Sequence, residues 1–362
     1  MRVRLLAAGD ICPGDHYFSL GHGTGSQLAA GANPFATIEW LLRDADVRIA
    51  NLEGVLSASS SNAAGPEADA FRGPPGAAAL LRDASIDLVH VANNHVLQHG
   101  ADAFRTTISL LEAQGISPVG LLKANRSSPV VKTVNGLVFG FLGYSFVPER
   151  YLPDQLLYAA APLSSVLGEI EALKRSVDLV VVSVHWGEEA TALPGQDTVD
   201  AAHAMITAGA TLVLGHHPHW FQPVERVGRA LIAYSLGDFV FDLFWDRRLV
   251  ESAILSVELD SAGVVEHRLI PVRFDTDYQL RLQTDREAKR FLGKIGENAR
   301  FLSRSQGTSP MAPVARGEAL RKLAYFLSVF HRGNTSQKAR FVFGKIRNTI
   351  RRGHHKTGGN AL

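Results

Sequence analysis

Cysteine is nearly absent from this chain of 362 residues, which contains one, at position 12. A single cysteine excludes an intrachain disulfide, and it excludes zinc fingers and iron–sulfur clusters built on several thiolates. Long apolar runs are missing too, since none approaches the roughly 18 residues that a membrane-spanning helix needs. The apolar stretch at residues 5–8 is shorter than the roughly 7 residues that the core of a secretory signal requires. We therefore expect a cytoplasmic protein.

Net charge is also nearly absent, because the chain has 37 Lys and Arg and 35 Asp and Glu. The basic and acidic residues are, however, separated along the chain. Residues 281–362 contain 18 basic and 4 acidic side chains, which leaves 19 basic and 31 acidic ones in residues 1–280. An acidic body therefore precedes a basic C-terminal region. We place a domain boundary between them, with 1–280 as the main domain and 281–362 as a basic, mostly helical extension with a flexible end.

Short aliphatic runs alternate with helical patterns along the main domain. Residues 102–114, 165–176 and 198–208 carry apolar side chains at helical spacing. Several runs between them are apolar at consecutive positions, which is typical of strands covered on both faces. Strands that alternate with helices predict an α/β architecture. The predicted strands are residues 3–8, 47–50, 88–92, 138–143, 179–184, 211–214 and 230–234, followed by a hairpin of 253–259 and 264–271.

Polar residues able to bind a metal follow five of the predicted strands. Because the carboxyl ends of parallel strands meet in a crevice, these side chains are expected to converge. Carboxylate, carboxamide and imidazole donors together suit a divalent transition metal, and a bridging carboxylate suits two. One such residue alone is most often a cap or a structural histidine, but five sets in equivalent positions favour a function. The sets are GDICPGD (9–15), ANLEG (50–54), ANNH (92–95), VHWGEE (184–189) and GHHPH (215–219).

In this order the motifs, followed by YSLGDF (234–239), resemble the bacterial capsule-synthesis, or poly-γ-glutamate biosynthesis (CapA-like), family. That family is a branch of the calcineurin-like metallophosphatase superfamily. The resemblance runs from about residue 3 to residue 258, so the basic region takes no part in it. It implies a four-layer α/β/β/α sandwich of the calcineurin-like metallophosphatase fold for residues 1–280, which would be the catalytic domain, with the site at its strand ends.

The resemblance also implies one or two divalent metal ions, with Mn, Fe, Zn and Ca all open. The implied ligands are Asp10 and His219 for one metal, Glu53 as the bridge, and Asn94, His185 and His217 for the other. His95, next to Asn94, would be the acid/base that faces the substrate, because a histidine can titrate near neutral pH. Asp10 and Asp238 are further candidates for a catalytic role.

The sequence departs from the superfamily pattern at one position and from the family pattern at two. Cys12 stands where the superfamily usually has a histidine, Gln98 where the family has an aspartate, and Asp238 where it has an asparagine. The loss of one carboxylate and the gain of another suggest an altered handling of the substrate. Glu189 matches a glutamate of the family and could orient a ligand imidazole. The histidines that we interpret as structural are His16, His90, His99 and His203.

Three functions remain open on the sequence. The first is a metal-dependent enzyme that uses a metal-activated water and a histidine acid/base on a phosphoester or on a peptide or polyglutamate-type substrate. The second is a metal-dependent peptide epimerase of a ribosomal (lasso) peptide pathway, in which Asp/His pairs exchange the proton of an α-carbon. The epimerase hypothesis is motivated by Asp238, by the Asp15–His16 pair and by Gln98–His99. The third is a non-enzymatic accessory subunit of capsule polymer synthesis at the membrane.

The end of the chain motivates the third function. Residues 331–362 hold eight Lys and Arg and no acid, interleaved with Phe341, Val342, Phe343 and Ile346. Such a stretch can lie on an anionic membrane surface, here the inner face, at about 1 kcal/mol per cation. Charge alone does not separate a membrane from nucleic acid, and of the two we expect the membrane. A disordered solubilising tail is the plain alternative.

Overall fold

A computed structural model of the chain describes residues 1–59, 68–124, 126–148, 150–151, 156–304, 316–336 and 338–339. The strands are β1 (Val3–Ile11), β2 (Val47–Leu52), β3 (Val55–Leu56), β4 (Arg72–Gly73), β5 (Leu88–His90), β6 (Ser117–Val119), β7 (Leu122–Lys123), β8 (Arg126–Ser127), β9 (Val130–Val134), β10 (Leu137–Ser145), β11 (Leu179–His185), β12 (Leu212–His216), β13 (Val224–Val227), β14 (Ala230–Ala233), β15 (Asp238–Val240), β16 (Glu251–Asp260), β17 (Gly263–Phe274) and β18 (Leu280–Leu282). The helices are α1 (Thr24–Ala29), α2 (Glu39–Arg43), α3 (Ala77–Asp83), α4 (Ala101–Ala113), α5 (Leu163–Lys174), α6 (Gln196–Thr207), α7 (Arg247–Val250), α8 (Asp285–Arg304) and α9 (Arg316–Val329).

Two mixed β-sheets stack face to face. The first has the order β18-β17-β16-β1-β2-β5-β6, with β15 also paired to β1, and the second has the order β13-β14-β12-β11-β10-β9. In the first sheet β1, β2, β5 and β6 are parallel, and in the second β10, β11, β12 and β14 are parallel. Each sheet therefore has a block of strands whose carboxyl ends lie together, which is where a ligand-binding crevice forms in α/β folds.

Alternating side chains give each sheet two buried faces. Leu5 of β1 and Leu214 of β12 belong to the core between the sheets, while the next residue along β1, Leu6, belongs to a core shared with helices. α3 and α4 cover that outer face of the first sheet, and α5 and α6 cover the outer face of the second. The order of layers is thus helix, sheet, sheet, helix, which confirms the predicted four-layer α/β/β/α sandwich.

The predicted strands and helices are present and differ from the observed elements mainly at their ends. β1 continues through Asp10, and β11 and β12 end on His185 and His216. These polar residues interrupt the aliphatic pattern, but Asp10 remains paired with Asn51, and His185 with His216. The backbone ladder thus continues past the point where the hydrophobic run stops, because pairing depends on the main chain and not on the side chain.

The first part of the basic extension packs on the body. Phe291 and Ile295 of α8 belong to the core between the sheets, and Leu302 packs against the second sheet's outer face. The Arg321 guanidinium of α9 lies 2.8 Å from a carboxylate oxygen of Asp246.

In the part of the chain that the structure describes, every helix is too short or too polar to cross a bilayer. The apolar residues of the basic tail, from residue 341 onward, lie outside the described residues. The boundary at residue 280 stays a prediction.

The packing of α8 can be tested with one pair of neighbours. Phe291 is buried with its ring centroid 5.5 Å from that of Phe221, whereas Leu292 is 38% exposed. We expect Phe291→Ala to lower the free energy of unfolding by about 3 kcal/mol, because a buried aromatic ring is lost. The matched control Leu292→Ala should cost under about 1 kcal/mol. Urea unfolding measures both, and equal effects would show that α8 does not contribute to the core.

Candidate metal centre

The carboxyl ends of the two parallel blocks meet at one place and bring the predicted site residues together. β1, β2 and β5 supply them from the first sheet, and β11 and β12 from the second. β15 adds one more, because Asp238 pairs in register with Asp10. A Cβ on Gly9 would lie 1.9 Å from the carbonyl oxygen of Gly237, so glycine is required where these strands approach. The residues gathered here are Asp10, Glu53, Asn94, His95, His185, His217, His219 and Asp238.

Asp10 is a fully buried carboxylate that contacts both sheets. Its Oδ1 accepts from Asn51 Nδ2 at 2.9 Å and from His216 Nδ1 at 3.0 Å, and its Oδ2 lies 3.5 Å from His219 Nδ1. Burial alone would raise the pKa of Asp10, but the hydrogen bonds from His216 and His219 hold it well below its ordinary range. Asp10 is therefore ionised, which is the form that binds a cation.

His219 lies between acidic side chains. Its Nδ1 is 2.9 Å from Asp238 Oδ1, and its Nε2 is 3.9 Å from Glu53 Oε1. Burial would lower the pKa of His219, but Asp238 and Glu53 raise it well above its usual value. Burial raises the pKa of Asp238 to about 7.

His217 and His219 both have positive φ, 95° and 60°, which is strained for residues other than glycine and is found mostly where a function requires the geometry.

His95 has a fixed orientation beside Glu53. Its Nδ1 is 2.9 Å from Gln98 Oε1, its ring stacks on Phe71 with centroids 3.9 Å apart, and its Nε2 is 3.8 Å from Glu53 Oε1. Since an amide oxygen can only accept, Nδ1 carries the proton in this contact and Nε2 is the acceptor. Burial, partly offset by the hydrogen bond to Gln98, lowers the pKa of His95 to about 4, so the imidazole is neutral.

The other side of the centre is made of neutral imidazoles and a carboxamide. His185 Nε2 lies 2.8 Å from Asn94 Oδ1, and the rings of His185 and His217 are 4.8 Å apart. Burial lowers the pKa of His185 well below its usual value and that of His217 to about 4. Neutral imidazole is the form that coordinates metals.

Buried polar atoms test whether this donor set fits a metal. Within the described residues, oxygen or imidazole atoms of Glu53, His185, His217 and Asp238 are buried without a hydrogen-bond partner. Such atoms normally cost free energy, and their concentration here fits a site that can bind a cation. Ligand atoms of Asp10, His219 and Asp238 lie within 4.8 Å of one another, as do those of Glu189, His217 and His219. The carboxylate and imidazole groups are thus positioned to bind a metal, while the assignment of single ligands stays a prediction.

Comparison with known sequences identifies the family. A family model described as bacterial capsule synthesis protein PGA_cap matches residues 4–243, which include every predicted site residue. The chain belongs to this family. The PGA biosynthesis protein CapA of Bacillus subtilis (strain 168) is 30% identical over 202 residues, 53% of this chain and 52% of that protein. The capsule biosynthesis protein CapA of Bacillus anthracis is 30% identical over 201 residues, 53% and 49% of the two chains.

The chain therefore spans about half the length of these curated members of the capsule synthesis family. Among solved structures, the 5′-nucleotidase of Candida albicans SC5314 superposes with a TM-score of 0.45 at 15% identity, over 83% of this chain and 58% of that chain.

Three residues within the family motifs hold the centre in place and were not predicted from the sequence. Asn93 Nδ2 donates to Asn51 Oδ1 at 3.1 Å, and Asn51 in turn donates to Asp10. His216 Nδ1 lies 3.0 Å from the same oxygen, Asp10 Oδ1. All three lie in the quoted motifs ANLEG, ANNH and GHHPH, so the motif signal was present. Their supporting roles could not be read from the motifs, because the same residue types serve as metal ligands and as hydrogen-bond donors to those ligands.

The Asp15–His16 pair lies outside the centre. Asp15 accepts from the backbone N–H of Gly21 at 2.7 Å and of Ser26 at 2.8 Å, and so holds the loop that leads into α1. His16 packs on Trp245, with ring centroids 5.0 Å apart. Cys12 is buried, and its Sγ lies 3.5 Å from the carbonyl oxygen of Gly14. These residues have structural contacts in the described part of the chain.

Asp242 accepts hydrogen bonds from the backbone N–H groups of His16 and Thr24, in the loop that Asp15 holds, and its ionisation makes this loop sensitive to pH. Burial, with the nearby charge of Asp15, raises the pKa of Asp242 to about 7, from an ordinary value of 3.8. Between these pH values the native state holds a proton that the unfolded state has lost. Stability should therefore fall as pH rises through this window, by about 1.4 kcal/mol for each pH unit at most.

Unfolding free energies at pH 4 to 8 test this effect. We expect the stability of the wild-type chain relative to Asp242→Asn to decrease as the pH rises. Ser19 Oγ donates to Asp242, so Ser19→Ala removes a hydrogen bond but keeps the titrating group, and it should retain the wild-type slope. A difference between wild type and Asp242→Asn that is constant with pH would contradict the raised pKa.

Metal binding can be measured without any substrate. At 100 times its dissociation constant, a divalent cation such as Mn²⁺ should stabilise the chain by about 2.7 kcal/mol. His217→Ala and His219→Ala should lose that stabilisation, while His203→Ala, at a half-exposed position on α6 paired with Glu225, should keep it. Thermal unfolding and elemental analysis of the purified protein are the measurements. No shift with Mn²⁺, Fe²⁺, Zn²⁺ or Ca²⁺ and no retained metal would exclude the site.

Proposed function

We propose that the chain is a metal-dependent enzyme acting on a phosphoester or on a peptide or polyglutamate-type amide. The observation that supports this most is the buried cluster of carboxylates and imidazoles with atoms left without hydrogen-bond partners, at the strand ends that carry the family's motifs. Asp10, Glu53, Asn94, His185, His217 and His219 would hold one or two ions. Bound ions would polarise the scissile group and lower the pKa of a water to near 7.

His95 is the residue that would move a proton. Its Nδ1 proton is held by Gln98, so Nε2 is the free acceptor on the side of Glu53. The stack on Phe71 and the bond to Gln98 restrain the ring without a charge, and the imidazole stays neutral at pH 7. A neutral imidazole can accept a proton from a nucleophile and return it to a leaving group.

A peptide epimerase is the second candidate, and one observation favours it. Asp238 and His219 form an Asp/His pair inside the centre, with 2.9 Å between Oδ1 and Nδ1. Such a pair has the two groups that exchange of an α-carbon proton needs. The Asp15–His16 pair gives no support, because Asp15 is occupied by the loop before α1.

An accessory role at a membrane is the third candidate, and α9 favours it. Leu320, Leu323 and Leu327 are 67%, 53% and 63% exposed, while Tyr325 and Phe326 pack towards the body. The three leucines lie three and four residues apart and therefore share one face of the helix. An apolar face next to a basic tail is a pattern of interfacial helices.

Turnover by the metal-loaded protein distinguishes these functions. We expect hydrolysis of a chromogenic phosphodiester or of a γ-glutamyl or peptidyl anilide. His95→Ala should lower kcat by about 10²-fold or more, as loss of an acid/base does, with the metal content unchanged. His203→Ala is the control and should keep full activity.

The alternatives give different results in the same protein. Deuterium uptake from D₂O at one α-carbon of a peptide, without cleavage, would contradict the proposed hydrolysis and support epimerisation. A metal-loaded protein with neither activity, which sediments with anionic liposomes through Leu320, Leu323 and Leu327, would contradict the enzyme and support the accessory role.

A further inference from the structure

A cavity adjoins the metal centre on the helix side of the second sheet. It has a volume of about 540 Å³ and lies at the first turns of α5 and α6, within the size range of small-molecule sites. Trp186, Gly187 and Glu188, which follow the candidate ligand His185, form part of its lining. Pro218, which stands between His217 and His219, forms another part.

Backbone hydrogen bonds join this cavity to the centre. The N–H of Trp186 donates to the carbonyl of His216 at 3.1 Å, and the N–H of Ala190 donates to the carbonyl of Pro218 at 2.8 Å. These two bonds tie the segment that lines the cavity to the segment that presents His217 and His219. A group held in the cavity is therefore held at a fixed position relative to the centre.

Most of the cavity wall is apolar and rigid. The Trp186 indole is buried, and its Nε1 donates to the carbonyl of Tyr234 at 2.9 Å, which fixes the plane of the ring. A fixed aromatic plane binds a flat or aliphatic group at low entropic cost. The larger apolar lining residues are Phe146, Leu163, Trp186, Leu193, Pro194 and Pro218.

The charged side chains of the described cavity lining are carboxylates, and its neutral polar side chains, Thr191, Gln196, Thr198 and Gln222, can donate as well as accept. Glu188 and Asp197 are exposed carboxylates of the lining, and the described lining contains no Lys, Arg or His. Gln222 is 1% exposed; its Nε2 donates to Thr191 at 3.0 and 3.1 Å, and its Oε1 is buried without a hydrogen-bond partner among the described residues. Asp197 also lies in the first turn of α6, where it offsets the positive end of the helix dipole.

We propose that this cavity binds an apolar group that carries an ammonium or amide N–H, in the part of the substrate next to the reacting bond. Two carboxylates and an unpaired amide oxygen select donors, and they repel a carboxylate or a phosphate. The assignment to a substrate rests on the proposed function, but the binding of an amine does not. Within that function the cavity favours a peptide-like amide over a phosphoester or a polyanionic glutamate chain.

Two probes that share a phenylethyl group and differ in the sign of their charge test this selection. We expect phenethylamine to bind at least about tenfold more tightly than 3-phenylpropionate at low ionic strength, measured by calorimetry or by NMR titration of the metal-loaded chain. Glu188→Gln and Asp197→Asn should each weaken amine binding about two- to fivefold, as exposed ion pairs do. Glu171→Gln changes an exposed carboxylate of α5 outside the cavity lining and should change nothing.

A blocking variant tests the location. Ala201 is a half-buried lining residue on α6, and Ala201→Trp should abolish binding of the amine while the stabilisation by Mn²⁺ persists, which shows that the chain is folded. Equal affinity for the two probes, or no effect of the Glu188 and Asp197 variants, would overturn the proposal. Amine binding in a protein without turnover would leave the cavity as a binding site and would contradict only the proposed enzyme activity.

Discussion

The site is organised around the burial of one negative charge, that of Asp10. A carboxylate enclosed between two sheets is tolerated only when donors surround it. Asn51 supplies one from the neighbouring strand of the same sheet, and His216 supplies another from the opposite sheet. The two sheets therefore share a polar contact at their carboxyl ends, in addition to the apolar core between them. Any change in how the sheets pack would move the donors away from this charge.

That constraint explains why the sequence indicated where the candidate site residues lie but not which residues support them. Hydrophobic runs marked the strands, and the residues just after them were correctly taken to converge, because parallel strands bring their ends together. Asn51, Asn93 and His216 form hydrogen bonds that depend on which strand lies opposite. Strand order is not visible in local patterns, so these contacts could not be derived before the sheets were assembled. The Asp15–His16 pair shows the reverse error: it is adjacent in sequence to the first motif, but its loop turns away from the strand end towards α1.

The extension shows another limit of sequence patterns. Charge composition separated residues 281–362 from the body, yet Phe291 and Ile295 belong to the core between the sheets. A helix with basic residues on one side and a few apolar residues on the other has a strongly basic composition, and composition does not report which side is buried. The cavity beside Trp186 was also hidden, since its lining comes from separate segments of the chain.

The pairing of β16 with β1 has a consequence for the part of the chain that matches the family. Val3 to Ala7 pair with Leu259 to Leu255, and these partners lie beyond residue 243, where the family match ends. A fragment limited to the match would leave the first half of β1 as an open sheet edge, with unpaired amides beside buried aliphatic side chains. Open edges of this kind recruit strands from other molecules. β16 therefore protects the strand that carries Asp10 from self-association, although it contributes no residue to the metal centre.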